Sequence, residues 1–364
     1  MTLRTATAVI DLQALISNFC YIKKKSPQGK VLAVLKANAY GHGLARIASA
    51  LSASTYQADA FGVARLDEAL ALRNAGITKP IVLLEGFFEH TDLDVIAEYD
   101  LQTIIHNQEQ LSILCSANVA KPIQVWLKID TGMHRLGIAP EDLNTFYTQL
   151  NQSKNVDTDI ILMSHLSCAD NAESQSTPNQ IALFNKVTNG LYNSKSMANS
   201  AGICLWPESH FQWIRPGLML YGVSPIQEPR LANQPALQPV MTLQSSLISI
   251  RNIAKGEKVG YGGAWQATHD TTIGVIAIGY GDGYPRHAEN GTPVLINGRI
   301  VPLIGRVSMD MISVDLGKNA QDNIGDIATL WGKGLPVEKV AQCATTIPYE
   351  LLCNISRRVQ VTVK

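Results

Sequence analysis

The chain has 364 residues, 46% of them apolar and 16% charged, which excludes disorder and exceeds the usual size of one domain. Its 30 basic residues balance 30 acidic ones, so no net charge marks it for nucleic acid or an anionic membrane. No apolar run approaches the roughly 20 residues of a membrane span. The opening MTLRTATAVIDL lacks the apolar core of a signal peptide, and Asp11 interrupts it early. Six scattered cysteines form no C-x-x-C pair, so neither a zinc site nor a disulfide framework is expected, and the expected compartment is the cytosol.

From the N-terminus, short apolar runs alternate with amphipathic stretches. Thr7 to Ile10 precedes a helical pattern with Leu12, Leu15, Ile16 and Phe19 on one face. Val31–Leu35, Phe61–Ala64, Ile81–Leu84, Thr103–Ile105, Val125–Ile129 and Ile160–Met163 follow, most leading into helix-like segments such as Asn179 to Tyr192. Continuous apolar strands alternating with helices predict a parallel sheet buried on both faces. About eight such units fit a (β/α)8 barrel better than an open sheet, and no G-x-G-x-x-G opens a helix after the first strand. The predicted barrel spans residues 1–232. Asn233–Pro239 reads as a linker, and residues 233–364 as a mostly β domain. Its expected strands are Thr242–Ile250, Thr272–Ile278, Pro293–Ile296, Ile312–Asp315 and Val359–Val363, with helical periodicity confined to Leu335–Cys343.

A parallel barrel places chemistry at the C-terminal ends of its strands. Lys36 follows Val31–Leu35 in AVLKANAYGHG, Arg135 lies past Val125–Ile129, and His165 follows Ile160–Met163. Ser200 stands in SMANSAG and Arg215 in WIRPG. Taken singly, His165 is also explained as a core histidine, Arg215 as a salt-bridge partner and Ser200 as a helix N-cap. A lysine at the tip of a buried strand is desolvated, which lowers an ammonium pKa and makes the amine a nucleophile or base. Tyr40 can reach back over the same mouth. Ser200-Ala201-Gly202 and Pro216-Gly217-Leu218 offer backbone N–H groups where loops turn toward helices, an arrangement suited to a phosphate. A lysine beside a phosphate cradle meets the requirement for pyridoxal phosphate bound as an imine, with His165 against its ring. In the second domain Tyr261 sits between glycines in VGYGGAW. Met309, Asp310 and Tyr349 stand out, and Gly279–Arg286 is either a substrate entrance or a plain loop.

Together the motifs AVLKANAYGHG, WLKIDTGMHRLG, ILMSHLS, ANSAG, IRPGLMLYG, VGYGGAW, GYGDGYPR, GRVSMDM and PYELLCNISRRV closely resemble those of bacterial alanine racemases, in order from residue 33 to 359. The resemblance implies pyridoxal 5′-phosphate as cofactor, alanine as substrate, D-alanine supply for peptidoglycan and a homodimer whose active sites are shared between subunits. It makes Lys36 the imine-forming lysine and one base, and Tyr261, from the other subunit, the opposite base. Tyr40, Ser200, Gly217, Leu218 and Tyr349 match the phosphate-binding set, while Arg135 and Met309 match the groups that hold the substrate carboxylate. His165 and Arg215 would support the tyrosine and the cofactor. Lys128 aligns with a lysine that is carbamylated in some members and then pairs with the equivalent of Arg135. A guanidinium only donates, so Arg215 at the pyridine nitrogen would keep that nitrogen unprotonated. Related decarboxylases carry a glutamate there, and a non-catalytic carrier made of the barrel alone would need neither the second domain nor Tyr261.

Overall fold

The structure, a computed structural model, describes residues 5–55, 57–226 and 236–364. The first strands are β1 (Thr7–Ile10), β2 (Lys30–Val34), β3 (Ala60–Val63), β4 (Ile81–Leu83), β5 (Leu101–Ile105), β6 (Val125–Lys128), β7 (Ile161–Met163), β8 (Lys195–Ser196) and β9 (Trp213–Ile214). Strands β2 to β9 pair in parallel in sequence order, and β9 returns to β2 through Lys30↔Trp213 and Val31↔Ile214 to close a barrel. The apolar runs of β3 and β4 are buried along their whole length, as a sheet covered on both faces requires.

Beyond the barrel lie β10 (Met241–Ile253), β11 (Lys258–Val259), β12 (Trp265–Gln266), β13 (Thr271–Ile276), β14 (Pro293–Ile296), β15 (Arg299–Ile304), β16 (Ile312–Gly317), β17 (Ile327–Trp331) and β18 (Gln360–Val363). One sheet runs in the order β13-β16-β15-β14-β17-β10-β1-β18, with β10 also pairing β13, while β11 and β12 form a separate hairpin. The register of β10 shifts between Leu243 and Gln244 against β17, and between Leu247 and Ser249 against β13. Those irregularities bend the strand, so its first half serves β1 and β17 and its second half β13. The fold is therefore the expected (β/α)8 barrel followed by a mostly β unit.

Strand β1 lies in the second sheet, antiparallel to β10 through Thr7↔Gln244 and parallel to β18 through Thr7↔Gln360. An apolar tetrapeptide carries no mark of its partner. The place in the barrel that β1 seemed to fill belongs to β8 and β9, each two residues long and too short to register as an apolar run. Arg299–Ile304 and Ile327–Trp331 escape the sequence reading for the opposite reason, because Arg299, Pro302 and Thr329 break their apolar pattern. The expected boundary at 232/233 and residues 233–235 of the expected linker lie outside the described residues.

The helix Leu12–Lys25 starts on Asp11, whose carboxylate accepts the Ala14 N–H at 2.9 Å. Its Leu15 and Phe19 are buried, and so is Asn18. The Asn18 amide donates to the carbonyls of Leu220 (3.1 Å) and Gln238 (2.8 Å) and accepts the Gln238 N–H at 2.8 Å. One buried side chain thus joins the end of the barrel to the start of the second sheet.

The helix Pro348–Cys353 packs against the segment Lys36–Tyr40 at the barrel mouth. Gly41, at φ +79°, makes that approach feasible, because a Cβ there would collide with the Leu352 carbonyl oxygen. Gly41→Ala is expected to cost about 2–3 kcal/mol and to lower the thermal unfolding midpoint. An unchanged midpoint would show that the two segments can separate freely.

Candidate active site

The residues at the C-terminal ends of the barrel strands converge on one mouth. After β2 the chain enters a turn in which Ala37, Asn38, Ala39 and Tyr40 all have φ between +52° and +54°. The left-handed turn sends Lys36 out half-buried while the ring of Tyr40 turns inward. Tyr40 packs on Tyr221 with ring centroids 4.7 Å apart and on Tyr349 at 5.7 Å. Burial, with Tyr349 and Cys353 adding to it, holds the Tyr40 phenol well above its ordinary range, so it remains a neutral donor. A Cβ on Gly217 would stand 2.6 Å from the Tyr40 hydroxyl, so only glycine leaves room there.

Ser200 opens the helix Ser200–Leu205, but Asn199 is its N-cap, accepting the Gly202 N–H at 2.9 Å. The Ser200 hydroxyl accepts instead from the N–H groups of Gly217 (2.9 Å) and Met219 (3.4 Å). This bond draws the 200–202 and 216–218 segments side by side, with Leu218 buried behind them. Tyr221, not singled out from the sequence, underlies them and donates to the Val34 carbonyl at 2.9 Å. It belongs to IRPGLMLYG, but nothing in that string marks it as the ring beneath Tyr40.

Arg215 is buried, and every partner it has among the described residues is neutral. Nη1 donates to the Ser196 hydroxyl (2.6 Å), and Nη2 to the Ser164 carbonyl (2.6 Å), the Met197 carbonyl (3.3 Å) and His165 Nδ1 (3.1 Å). It is therefore no salt-bridge partner among the described residues. Because a guanidinium only donates, His165 Nδ1 accepts, and the imidazole proton sits on Nε2. Burial, then Arg215, Lys128, Arg135 and Lys36, push the His165 imidazole well below its ordinary range, so it stays neutral.

The deeply desolvated lysine of the mouth is Lys128, the last residue of β6. Burial, then the charges of Arg215 and Arg135, lower its ammonium from 10.5 to about 7, with Asp130 opposing. An unfolded chain keeps this proton up to about pH 10.5, whereas the folded chain gives it up near 7. Between those values the unfolded state binds more protons, so stability rises with pH and the full penalty applies below pH 7. Lys128→Met is expected to stabilise the cofactor-free protein at pH 6 by on the order of 2 kcal/mol, and hardly at pH 10. Thermal midpoints at both pH values in CO2-free buffer check this, and an equal gain at both would refute it.

Lys36, Lys128, Arg135 and Arg215 thus crowd one mouth, with the Asp130 carboxylate opposing them at Lys128. Such a site calls for anions. Both Nη atoms of Arg215 are taken, while Nε makes no hydrogen bond among the described residues and can serve a ring nitrogen. The Tyr40 hydroxyl, the Gly217 surface and the Leu218 N–H suit a phosphate. The residues therefore fit pyridoxal phosphate.

Arg135 stands exposed on the loop after β6. The loop is tied by Asp130, whose carboxylate accepts the N–H groups of Gly132, Met133 and His134 at 2.9, 3.1 and 3.1 Å. Tyr349 reaches the mouth within this chain. Tyr261 and Met309 do not: Tyr261 lies 71% exposed in the turn between β11 and β12, and Met309 is 53% exposed. The Met309 carbonyl accepts the Gly281 N–H at 2.8 Å, fastening it to the Gly279–Arg286 loop.

Two family models match, described as alanine racemase N-terminal domain over residues 10–225 and alanine racemase C-terminal domain over residues 240–363. Alanine racemase of Edwardsiella ictaluri is 54% identical over 358 residues, covering 98% of each chain. The biosynthetic alanine racemase of Salmonella typhimurium is 52% identical over 357 residues, again 98% of each. Among solved structures, biosynthetic alanine racemase from Pseudomonas aeruginosa superposes with a TM-score of 0.95 at 40% identity over 100% of both chains. Alanine racemase from Bartonella henselae with covalently bound pyridoxal phosphate gives 0.89 at 31% identity over 99% of each. Barrel, mouth and second sheet are those of a pyridoxal-phosphate-dependent amino-acid racemase. Within that class, the chain belongs to the alanine racemase family.

Proposed function

We propose that this chain interconverts L-alanine and D-alanine as a homodimer, with pyridoxal 5′-phosphate held in the barrel mouth and a base on each face of the substrate. The observation that carries the reading is the buried Arg215, a donor with only neutral partners among the described residues, beside the basic side chains of Lys36, Lys128 and Arg135 at the same mouth. Pyridoxal phosphate, when bound, supplies an electron sink that acidifies the substrate's α-hydrogen.

Lys36 anchors that group covalently and moves the α-proton on one face. Inverting a stereocentre requires a proton taken from one face and another delivered to the opposite face, which calls for a second base. That base is Tyr261 of the partner subunit, whose exposure in a single chain suits a residue that a second copy covers. His165 donates from Nε2 to steady this phenol, since its Nδ1 is already held by Arg215. Tyr40, Ser200, Gly217, Leu218 and Tyr349 hold the phosphate, and Arg135 with Met309 of the partner subunit holds the substrate carboxylate. At neutral pH a share of Lys128 is free amine, the form that takes up CO2, and its carbamate would pair with Arg135. Tyr349 with Tyr261 and Met309 of the partner subunit leaves room at the α-carbon for about a methyl group.

The product serves peptidoglycan synthesis in the cytoplasm. All six cysteines are unpaired, as in a reducing compartment, and no helix among the described residues is long and apolar enough to cross a membrane. The two units divide near residue 232, with β1 lent to the second. The test is D-alanine formation from L-alanine by the purified, pyridoxal-phosphate-loaded protein, with serine, arginine and lysine alongside. Turnover of alanine alone supports the reading, turnover of the basic amino acids moves it to a broad-specificity racemase, and no turnover overturns it.

A further inference from the structure

His42, the histidine of AYGHG, is fully buried and takes no part in the chemistry described above. Its ring stacks on Tyr221 with centroids 4.5 Å apart. Nδ1 lies 2.8 Å from the carbonyl oxygen of Tyr40 and 3.1 Å from that of Ala39. Carbonyls only accept, so Nδ1 carries the proton and donates to both. Nε2 is then a bare acceptor, sealed from solvent and without a partner. Arg46 Nη1 is likewise buried and unpartnered. Burial, with the Arg46 guanidinium adding to it, pushes the imidazole down to about 4, so the ring stays neutral.

The two carbonyls belong to the left-handed turn that carries Lys36 and Tyr40. Each non-glycine residue in that conformation costs roughly 1–2 kcal/mol, and four stand in a row, so surrounding bonds must impose it. Backbone bonds supply part of the restraint: Ala39 N–H to Leu35 (2.7 Å), Gly41 N–H to Ala37 (3.0 Å) and Gly43 N–H to Asn38 (2.9 Å). None reaches the Tyr40 carbonyl, whose acceptor capacity is met among the described residues by His42 alone.

We propose that His42 is a positioning residue for the racemase reaction: its Nδ1–H locks the last two carbonyls of the left-handed turn, fixing where Lys36 departs and where the Tyr40 hydroxyl stands. The inference rests on the roles given above to Lys36 and Tyr40. A ring that merely filled space would stack on Tyr221 equally well in either tautomer. The donated proton is what distinguishes the two cases.

The first arm reads nitrogen-15 shifts of the His42 ring in the pyridoxal-phosphate-loaded wild-type protein from pH 5.5 to 9. A neutral ring protonated on Nδ1 throughout is expected. An Nε2-protonated ring, or one that charges within this range, overturns the proposal whatever the activity. The second arm replaces the ring by shape alone: His42→Phe keeps the stacking and removes the donor. Dissociation of pyridoxal phosphate should become about tenfold easier and kcat fall about tenfold, with KM for alanine little changed. His42→Asn, which restores a donor near the same position, should recover part of both. Wild-type cofactor affinity and kcat in His42→Phe would overturn the proposal. If His42→Phe does not fold, the tautomer and the Asn variant still decide. Absence of racemisation in the wild type would sink the functional reading instead and leave the ring result standing.

Discussion

Replacing Lys36 by alanine is expected to lower racemisation in both directions by at least about 10⁴-fold while leaving the protein folded. The two halves of that expectation have separate causes. Among the described residues no hydrogen bond or salt bridge depends on the Lys36 ammonium, and the residue is only half-buried, so its removal strands none of them in the core. Stability should therefore change little, unlike the loss of Arg215, which would leave the buried His165 Nδ1 without its donor. In the proposed reaction the chemical loss is large because one side chain supplies both the covalent anchor and a base, and neither direction of inversion can bypass it. Lys36→Arg is the control. It keeps the positive charge but cannot serve as anchor or base at neutral pH, and it should be as inactive as the alanine variant. If the arginine variant retained a tenth of wild-type D-alanine formation, Lys36 would be acting as a charge, and the assignment would fail.

How far such a site is legible in a sequence depends on how local its determinants are. Lys36 and His165 could be placed on one rim because each follows an apolar run, and a parallel barrel turns that one-dimensional rule into a shared mouth. What each does there is set by partners far along the chain. Ser200 reads as a cap in isolation, yet its hydroxyl binds Gly217 and Asn199 does the capping. The depressed pKa of Lys128 comes from burial and from Arg215, 87 positions away (215 − 128), and no window of sequence contains both. The left-handed turn at 37–40 leaves little propensity signal either, since Asn38 alone of its four residues is of a type that seeks positive φ. Strand β1 fails for the same reason in another form: its four residues say strand, and only the β10 and β18 edges decide which sheet.

The barrel mouth as a single chain builds it is half of the proposed machine. The residues proposed for the Lys36 side stand at the mouth: Lys36 as anchor, Tyr40 and Gly217 for the phosphate, and a neutral His165 with its Nε2 proton turned away from Arg215. Tyr261 and Met309 remain on the surface of the second unit, and no hydrogen bond or ring contact joins them to the mouth among the described residues. Glycines at 260, 262 and 263, all at positive φ, raise Tyr261 on a hairpin tip, where the tyrosine gains nothing from its own core. A large aromatic side chain held out this way is best explained by a surface that covers it.

Tyr261→Ala should accordingly reduce racemisation by about 10³-fold and yet leave half of the chemistry intact. With Lys36 still present, one enantiomer of alanine should go on exchanging its α-hydrogen with solvent deuterium, while the other exchanges at the residual rate. Exchange of both enantiomers at wild-type rates would mean that Tyr261 is not the second base. Mixing decides which subunit provides the tyrosine. If each site joins Lys36 of one subunit with Tyr261 of the other, a mixed dimer of Lys36→Ala and Tyr261→Ala chains holds one site with both residues and one with neither. Random reassortment of equal amounts makes half the dimers mixed, so about a quarter of wild-type activity should return from two nearly inactive parents. Were both residues drawn from the same chain, every site in every dimer would lack one of them, and mixing would restore nothing.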